Sequence, residues 1–242
     1  MSEHRANQGS VLGQVLAVTA FRNLWAAQLF SQLGFAMLLF ILALRVYQLS
    51  GSNAAVSGLF LTFGIPAILF GMGAGAVVDH LDKRSVLVAT DVARGVLVLA
   101  FFLFPSSLPV LYIISFLTAL ITQFYVPAEA PTIPRLVPPA LLVTANSLFS
   151  FTYYSSLAVG SIVAGPVLRV FGPHAVFLLI SSMFGIAGLL ASRIPREPGK
   201  SSHLPSLAVS KLFHLFGAMS LPSETALPMR KQHLPSARRC FF

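Results

Sequence analysis

Apolar residues recur along this chain in runs long enough to cross a membrane, separated by short polar or turn-rich breaks. The pattern predicts six helices: Leu24–Tyr47, Ala54–Val78, Ser85–Phe104, Leu108–Val126, Ala145–Phe171 and Ala175–Ser192. Each comes close to the ~20 residues a helix needs to cover ~30 Å of hydrocarbon. The breaks carry Ser50-Gly51-Ser52-Asn53, Pro105-Ser106-Ser107, Pro138-Pro139 and Gly172-Pro173, which turn a chain rather than continue a helix. Beyond Pro195 Ser, Pro, Lys and Arg become frequent, and no further run of ~20 apolar residues follows. One stretch there, Leu207 to Phe216, sets Val209, Leu212, Phe213 and Phe216 around Lys211. It reads equally as an amphipathic helix on the membrane surface or as a disordered tail.

Composition strengthens the membrane reading. Hydrophobic residues make up 56% of the chain, charged residues 10%, and mean hydropathy is +0.81. A soluble domain carries roughly 25% charged residues. So few charges cannot cover a water-facing surface, and the lipid bilayer becomes the first expected partner. The net charge of +9 hints at nucleic acid. Yet the cations sit between and after the apolar runs, not on one polar face, so no nucleic-acid partner is expected. Cys240 is the one cysteine, which excludes an intramolecular disulfide and a thiol-built metal site. No signal peptide is visible, because the first apolar run is too long for one. No His/Asp/Glu cluster has metal spacing and no nucleophile–base pair falls at one depth. An enzyme is therefore not expected, and neither is a metal or cofactor.

The Lys and Arg positions predict orientation. Arg5 and Arg22 precede or open the first run, Lys83 and Arg84 follow the second, and Arg135 follows the fourth. Arg193, Arg196, Lys200, Lys211, Arg230, Lys231, Arg238 and Arg239 follow the last. The alternate loops near residues 50, 107 and 173 contain none; only Arg45 and Arg169 lie close to them. Both termini are therefore expected on the cytoplasmic side of a plasma membrane, a parity that requires an even number of spans.

The segment richest in information runs from Gly71 to Arg84. Gly71 and Gly75 are four apart, a spacing that lets another helix approach closely in lipid. Asp79 follows at the helix end, with Lys83 and Arg84 just beyond. Such a loop can hold a helix end against a neighbour through charge-assisted hydrogen bonds. Within the third run Asp91 and Arg94 share one face about two turns in, a depth at which charges are usually paired. The residues support a structural ion pair and also a proton-coupling acid at Asp91.

Gly-x-x-x-Asp followed by a basic cluster between the second and third helices resembles the signature loop of the major facilitator superfamily. His80 stands where that family usually has Arg or Lys, and Asp82 where many members have Gly. The drug- and siderophore-exporting branch often has an acid at the latter position. Thr90-Asp91-Val92-Ala93-Arg94 and the stretch from Pro127 through Pro138 to Ala145-Asn146-Ser147-Leu148 are similar to that branch. Gly160 and Gly165-Pro166 are similar to the Gly-Pro signature of superfamily antiporters. The resemblance covers roughly residues 20–195.

The resemblance implies an all-α membrane protein: six transmembrane helices forming one half of the fold, built as two inverted three-helix repeats. Gly71-x-x-x-Gly75-x-x-x-Asp79 then pairs with Ser161-x-x-x-Gly165-x-x-x-Arg169, and both stripes are expected to face the other half of the transporter. Gly75, Asp79, Lys83 and Arg84 become a gating latch; Gly71, Gly75, Gly160, Gly165 and Pro166 become packing residues. The first and fourth helices line a substrate cavity, with Gln28, Gln32, Ser115, Thr118 and Thr122 as its polar lining. The same polar groups could equally be interhelical ties. Residues 1–195 form the transmembrane bundle, and 196–242 a basic cytoplasmic tail, the truncated central loop of a longer transporter. The expected partners are a small-molecule substrate and a missing C-terminal half or a second copy. The expected function is efflux of a small molecule, with a non-transporting fragment as the alternative.

Overall fold

The structure is a computed structural model and describes residues 11–103 and 107–196. The predicted amphipathic stretch at 207–216, the cations from Lys200 onward, Cys240 and the Phe104–Ser106 turn lie outside the described residues. Of two compact units, Met1–Ser202 and His203–Phe242, only the first contains described residues.

After a helical stretch at 11–17, α1 spans Thr19–Ser50. It closes at Gly51, whose φ of 63° lets its N–H reach Tyr47 O at 2.8 Å. That left-handed position carries no Cβ penalty for glycine. Ser52 caps α2 (Asn53–Asp79) by accepting the N–H of Ala55. Asp82 does the same for α3 (Lys83–Leu103), its Oδ2 accepting the N–H and the hydroxyl of Ser85. α4 spans Leu108–Glu129, almost a turn beyond its predicted end. A short α5 (Ile133–Leu136) and a 3-10 turn (Pro139–Leu141) lead into α6, Leu142–Ala191.

α6 is not one rod. Gly172 leaves helical geometry, with φ 76° and ψ 172°, at the predicted Gly172-Pro173 break. Gly160 packs on Leu33, Ala36 and Met37 of α1, while Met183 packs on Gly34. A straight helix would hold residues 160 and 183 about 35 Å apart. The chain therefore folds back at Gly172, giving a first arm, 142–171, and a second arm, 173–191.

The core falls into two apolar clusters that order the helices end to end. One holds Leu38, Ile41 and Leu42 of α1, Leu59 of α2, Phe101 of α3, Leu111 of α4, and Ala164 and Phe177 of the two arms. The other holds Leu24, Val78, Leu87, Tyr125, Phe149 and Ala191 from the same six segments. Each segment enters one cluster near one of its ends and the other near its opposite end. The six segments thus run alternately up and down. α1 packs on both arms, α3 on the second arm and on α4, and α2 on α4.

Among the described residues four helical stretches are long and apolar enough to cross a membrane: Thr19–Ser50, Asn53–Asp79, Leu108–Leu136 and Pro139–Ala191. The last includes both arms. The outer surface is apolar, with Met72 at 93% exposure and Ile68, Ile162 and Val170 above 70%. So large an exposed apolar surface suits lipid, not water.

Candidate functional site

Between the two apolar clusters lies a layer of buried polar side chains. On α1 it comprises Gln28 and Ser31, which fall between Ala27 of one cluster and Met37 of the other. On α3 it comprises Thr90, Asp91 and Arg94, between Leu87 and Val98; on α4, Ser115 and Thr118, between Ile114 and Tyr125. The first arm adds Thr152 and Ser156, between Phe149 and Ala164. α2 contributes none, its buried residues being Leu59, Pro66, Ala74 and Val78.

Arg94 organises this layer. Its guanidinium donates to Asp91 Oδ1 and, at 2.9 Å, to Ser31 Oγ, while its Nε donates to Thr90 O. Ser31 in turn donates to Asp91 Oδ1 at 3.0 Å. The guanidinium carbon lies 4.6 Å from the ring centre of Tyr125 and 4.8 Å from that of Phe184. Cation–π attraction of this kind strengthens when water is excluded. One side chain therefore ties α1, α3, α4 and the second arm together. The ion pair expected between Asp91 and Arg94 is present and fully enclosed.

Sequence reading passed over Glu129. It is buried at the end of α4, one turn beyond Tyr125. Pro127 reads as a helix terminator, so the predicted helix stopped at Val126. In the structure Pro127 sits inside the last turn and the helix continues to Glu129. The available signal was the four-residue spacing from Tyr125, which puts both on one helical face.

The layer is only partly self-satisfied. Gln28 Nε2 donates to Phe149 O across to the first arm, and Trp25 Nε1 donates to Thr152 Oγ1 at 2.8 Å. Ser115 and Thr122 return their hydroxyls to carbonyls of their own helix. Gln28 Oε1, Asp91 Oδ2, Thr118 Oγ1, Glu129 Oε1 and Ser156 Oγ have no hydrogen-bond partner among the described residues. Such an oxygen costs on the order of 1–3 kcal/mol unless a donor reaches it. Of the expected cavity residues, Gln28, Ser115 and Thr118 are buried inside the bundle, and Gln32 and Thr122 are half-buried.

At the end of α2 the charged loop is arranged differently from a simple acid–base latch. Lys83 is buried, and its Nζ donates to the carbonyls of Val78, Asp79 and Leu81 at 2.6, 3.0 and 3.3 Å. A cation there satisfies the open carbonyls of the helix end and opposes its dipole. Asp82, expected in an exposed, screened loop, is half-buried and caps α3. Asp79 is exposed, and its carboxylate makes no ion pair or hydrogen bond among the described residues. Arg84 is half-buried beside them.

The small-residue stripes also require correction. They were expected to face the other half of the transporter. Instead Gly71 and Gly75 face Gln123 and Pro127 of α4, and Gly160 and Gly165 face α1. Ser161 and Gly165 of the second stripe are half-buried, and Arg169 at its end is exposed. The stripes are used inside this chain because α2 and the first arm are outer helices that need an inner helix to pack on. Pro166 lies within the first arm. Gly95 and Gly188 also pack closely, at 3.4 and 3.3 Å, and join α3 to the second arm.

Comparison with known proteins agrees with this architecture. The chain is 27% identical over 184 residues to "Uncharacterized MFS-type transporter YfiS" of Bacillus subtilis, covering 73% of this chain and 44% of that protein. It is 29% identical over 150 residues to "Macrolide efflux protein A" of Streptococcus pyogenes, covering 59% of this chain and 37% of that one. The chain spans less than half the length of the curated relatives it matches. Its fold superposes on the crystal structure of the POT family transporter PepTSo with a TM-score of 0.63 at 18% identity, over 76% of this chain and 39% of that one. The profile of the Major Facilitator Superfamily matches residues 24–231, most of the chain, and the protein belongs to that transporter family.

Proposed function

We propose that the chain is one six-span half of a secondary transporter that exports a small molecule by alternating access together with a second six-helix half. The observation that carries this reading is the polar layer at mid-length, with unpaired oxygens, between two apolar ends. Carriers of this type hold substrate near the bilayer midplane, at the boundary between two bundles that rock against each other. Gln32 and Thr122, half-buried on α1 and α4, are the cavity residues nearest that boundary; Gln28, Ser115 and Thr118 lie behind them. The efflux direction rests on the similarity to the macrolide efflux protein.

The alternating segments support six crossings, and the distribution of cations between their two ends supports an orientation. The end holding Lys83, Arg84, Arg135, Arg193 and Arg196 carries most of the described cations, the other only Arg45 and Arg169. The basic end belongs in the cytoplasm of a plasma-membrane protein, and both termini with it. The packing also supports two inverted three-helix repeats. α2 runs parallel to α4, with Ala55 and Gly58 beside Tyr112 and Gly75 beside Pro127. The first arm runs parallel to α1 in the same manner, with Phe149 beside Phe21 and Gly160 beside Ala36. Exchanging the first three segments with the last three maps one contact onto the other. Residues 196–242 then begin the connection between halves. The second half is the C-terminal half of the family's fold or a second copy of this one. A chain that only associates through its helices is the alternative.

The test is dye export from cells expressing the chain alone, or together with the C-terminal half of a full-length relative. Export is expected from the pair, and from the chain alone only where a second copy serves as the other half. Asp79 is exposed and open to a cation on the second half, whereas Asp82 is committed to its own helix. Asp79→Asn is therefore expected to lower export about tenfold or more and Asp82→Asn about twofold or less, at equal expression. Export by a strictly monomeric chain would refute the half-transporter reading. No export by any pairing would leave the associating fragment.

A further inference from the structure

We propose that one flank of the first arm, carrying Asn146, Ser150, Tyr153 and Tyr154, is a wall of the substrate path, and that its two tyrosine rings hold an uncharged, ring-bearing part of the transported molecule, an assignment that rests on the half-transporter reading and adds a substrate class to it. Asn146, Ser150 and Tyr153 follow one another at helical spacing, and Tyr154 lies beside them on the same outward side. All four are exposed, and their side chains make no hydrogen bond among the described residues. The opposite flank carries Leu148, Phe151, Val159 and Ile162, and is apolar apart from the half-buried Thr144 and Ser155. The arm therefore has one side suited to lipid and one suited to a wetter neighbour.

α1 and the first arm run parallel, with Phe149 beside Phe21 and Gly160 beside Ala36. Each residue turns a helix by about 100°. In that sense of rotation Gln32 comes just before the α1 contact residues Trp25 and Ala36, and the tyrosine flank comes just after Phe149 and Gly160. For two parallel helices facing each other, before on one and after on the other is the same side. The flank and Gln32 thus border one space, and Tyr153 and Tyr154 stand level with the buried polar layer, next to Thr152.

The other three of the five tyrosines have ordinary places. Tyr47 lies at the end of α1, Tyr112 donates to Ala55 O, and Tyr125 is buried against Arg94. A phenol hydroxyl pressed into hydrocarbon without an acceptor is costly. Facing the path, it meets water or substrate. The two rings stand edge to face, with centroids 5.3 Å apart and planes at 88°. Together they offer ring surface and hydroxyl donors, which suit a cyclic group bearing acceptors. The charged groups at this level, Asp91 and Arg94, are buried and paired with each other. Among the described residues the exposed charges lie at the two ends of the bundle. This half offers no charge at mid-length, so the part of the molecule it meets is uncharged.

Two measurements test this. In membranes holding the chain, as Cys240→Ser, with the C-terminal half of a full-length relative, Ser150→Cys and Tyr154→Cys are expected to react with a water-soluble thiol reagent. Phe151→Cys and Ile162→Cys are expected to stay unreactive. Equilibrium dialysis of the purified full chain then compares chloramphenicol, a neutral aromatic compound, with the cation ethidium and the anion fluorescein. Chloramphenicol is expected to be retained best. Tyr154→Leu is expected to weaken its retention about fivefold, Tyr154→Phe about twofold or less, and Phe151→Leu not at all. Equal labelling of the two flanks, no retention of chloramphenicol, retention that ignores Tyr154, or preference for either charged probe overturns the proposal, whether or not the pair exports dye. Absence of export with labelling and tyrosine-dependent retention intact counts against the half-transporter reading and leaves the ring site standing.

Discussion

Arg94→Met is expected to cost about 3–5 kcal/mol, enough to remove most folded chain from detergent extracts. The side chain is 1% exposed, and its loss leaves Asp91, at 0% exposure, as an uncompensated charge. It also removes the donor to Ser31 and the cation held between Tyr125 and Phe184. The cost arises from stranding the partner, not from the net value of the pair. Replacing both members by apolar residues of similar volume is often neutral or stabilising. The double variant Asp91→Leu, Arg94→Met is therefore expected to regain most of the stability. Thermal unfolding followed by size-exclusion recovery checks both. A single variant as stable as the parent would mean that the ion pair does not hold the four helices together. A double variant no better than the single would mean that the charge itself is required.

Gly160→Leu is expected to prevent the first arm from docking on α1. A Cβ at Gly160 would lie 2.7 Å from Ala36 Cβ, 3.1 Å from Leu33 O and 3.3 Å from Met37 N. Two of those atoms are backbone and cannot swing away, so even Gly160→Ala is expected to cost about 1–3 kcal/mol. Gly64, inside α2 with nothing within 4 Å of its Cβ position, is expected to accept Ala without loss and to gain up to about 1 kcal/mol from alanine's higher helix propensity. The same unfolding measurement ranks the three. Equal effects at Gly160 and Gly64 would contradict the packing described here.

The apolar runs made the helical segments legible because their lengths answer to the thickness of a bilayer and their breaks to turn chemistry. Gly51 and Gly172 stand where turns were expected and take the positive φ that only glycine adopts freely there. The Asp91–Arg94 pair was legible for a similar reason, since two opposite charges three apart on an apolar helix have little else to do. Spacing could not say which neighbour a small-residue stripe meets. Gly71-x-x-x-Gly75 matches a motif, but it packs on α4 of the same chain. Gly95 and Gly188, which the sequence analysis did not single out, make closer contacts. Glu129 was hidden by Pro127, whose effect depends on whether the last turn of α4 needs its missing N–H. Lys83 and Asp82 read as loop charges because capping depends on backbone geometry, which residue order does not disclose.

The fold-back at Gly172 decides the whole topology, and reporter fusions placed along the chain test it most directly. Fusions after Asp82, Pro138 and Arg196 are expected to report from the cytoplasm, and fusions after Gly51, Ser107 and Gly172 from the opposite side. Gly172 and Arg196 reporting from the same side would mean that the two arms of α6 are not separate crossings, and would contradict the six-span half.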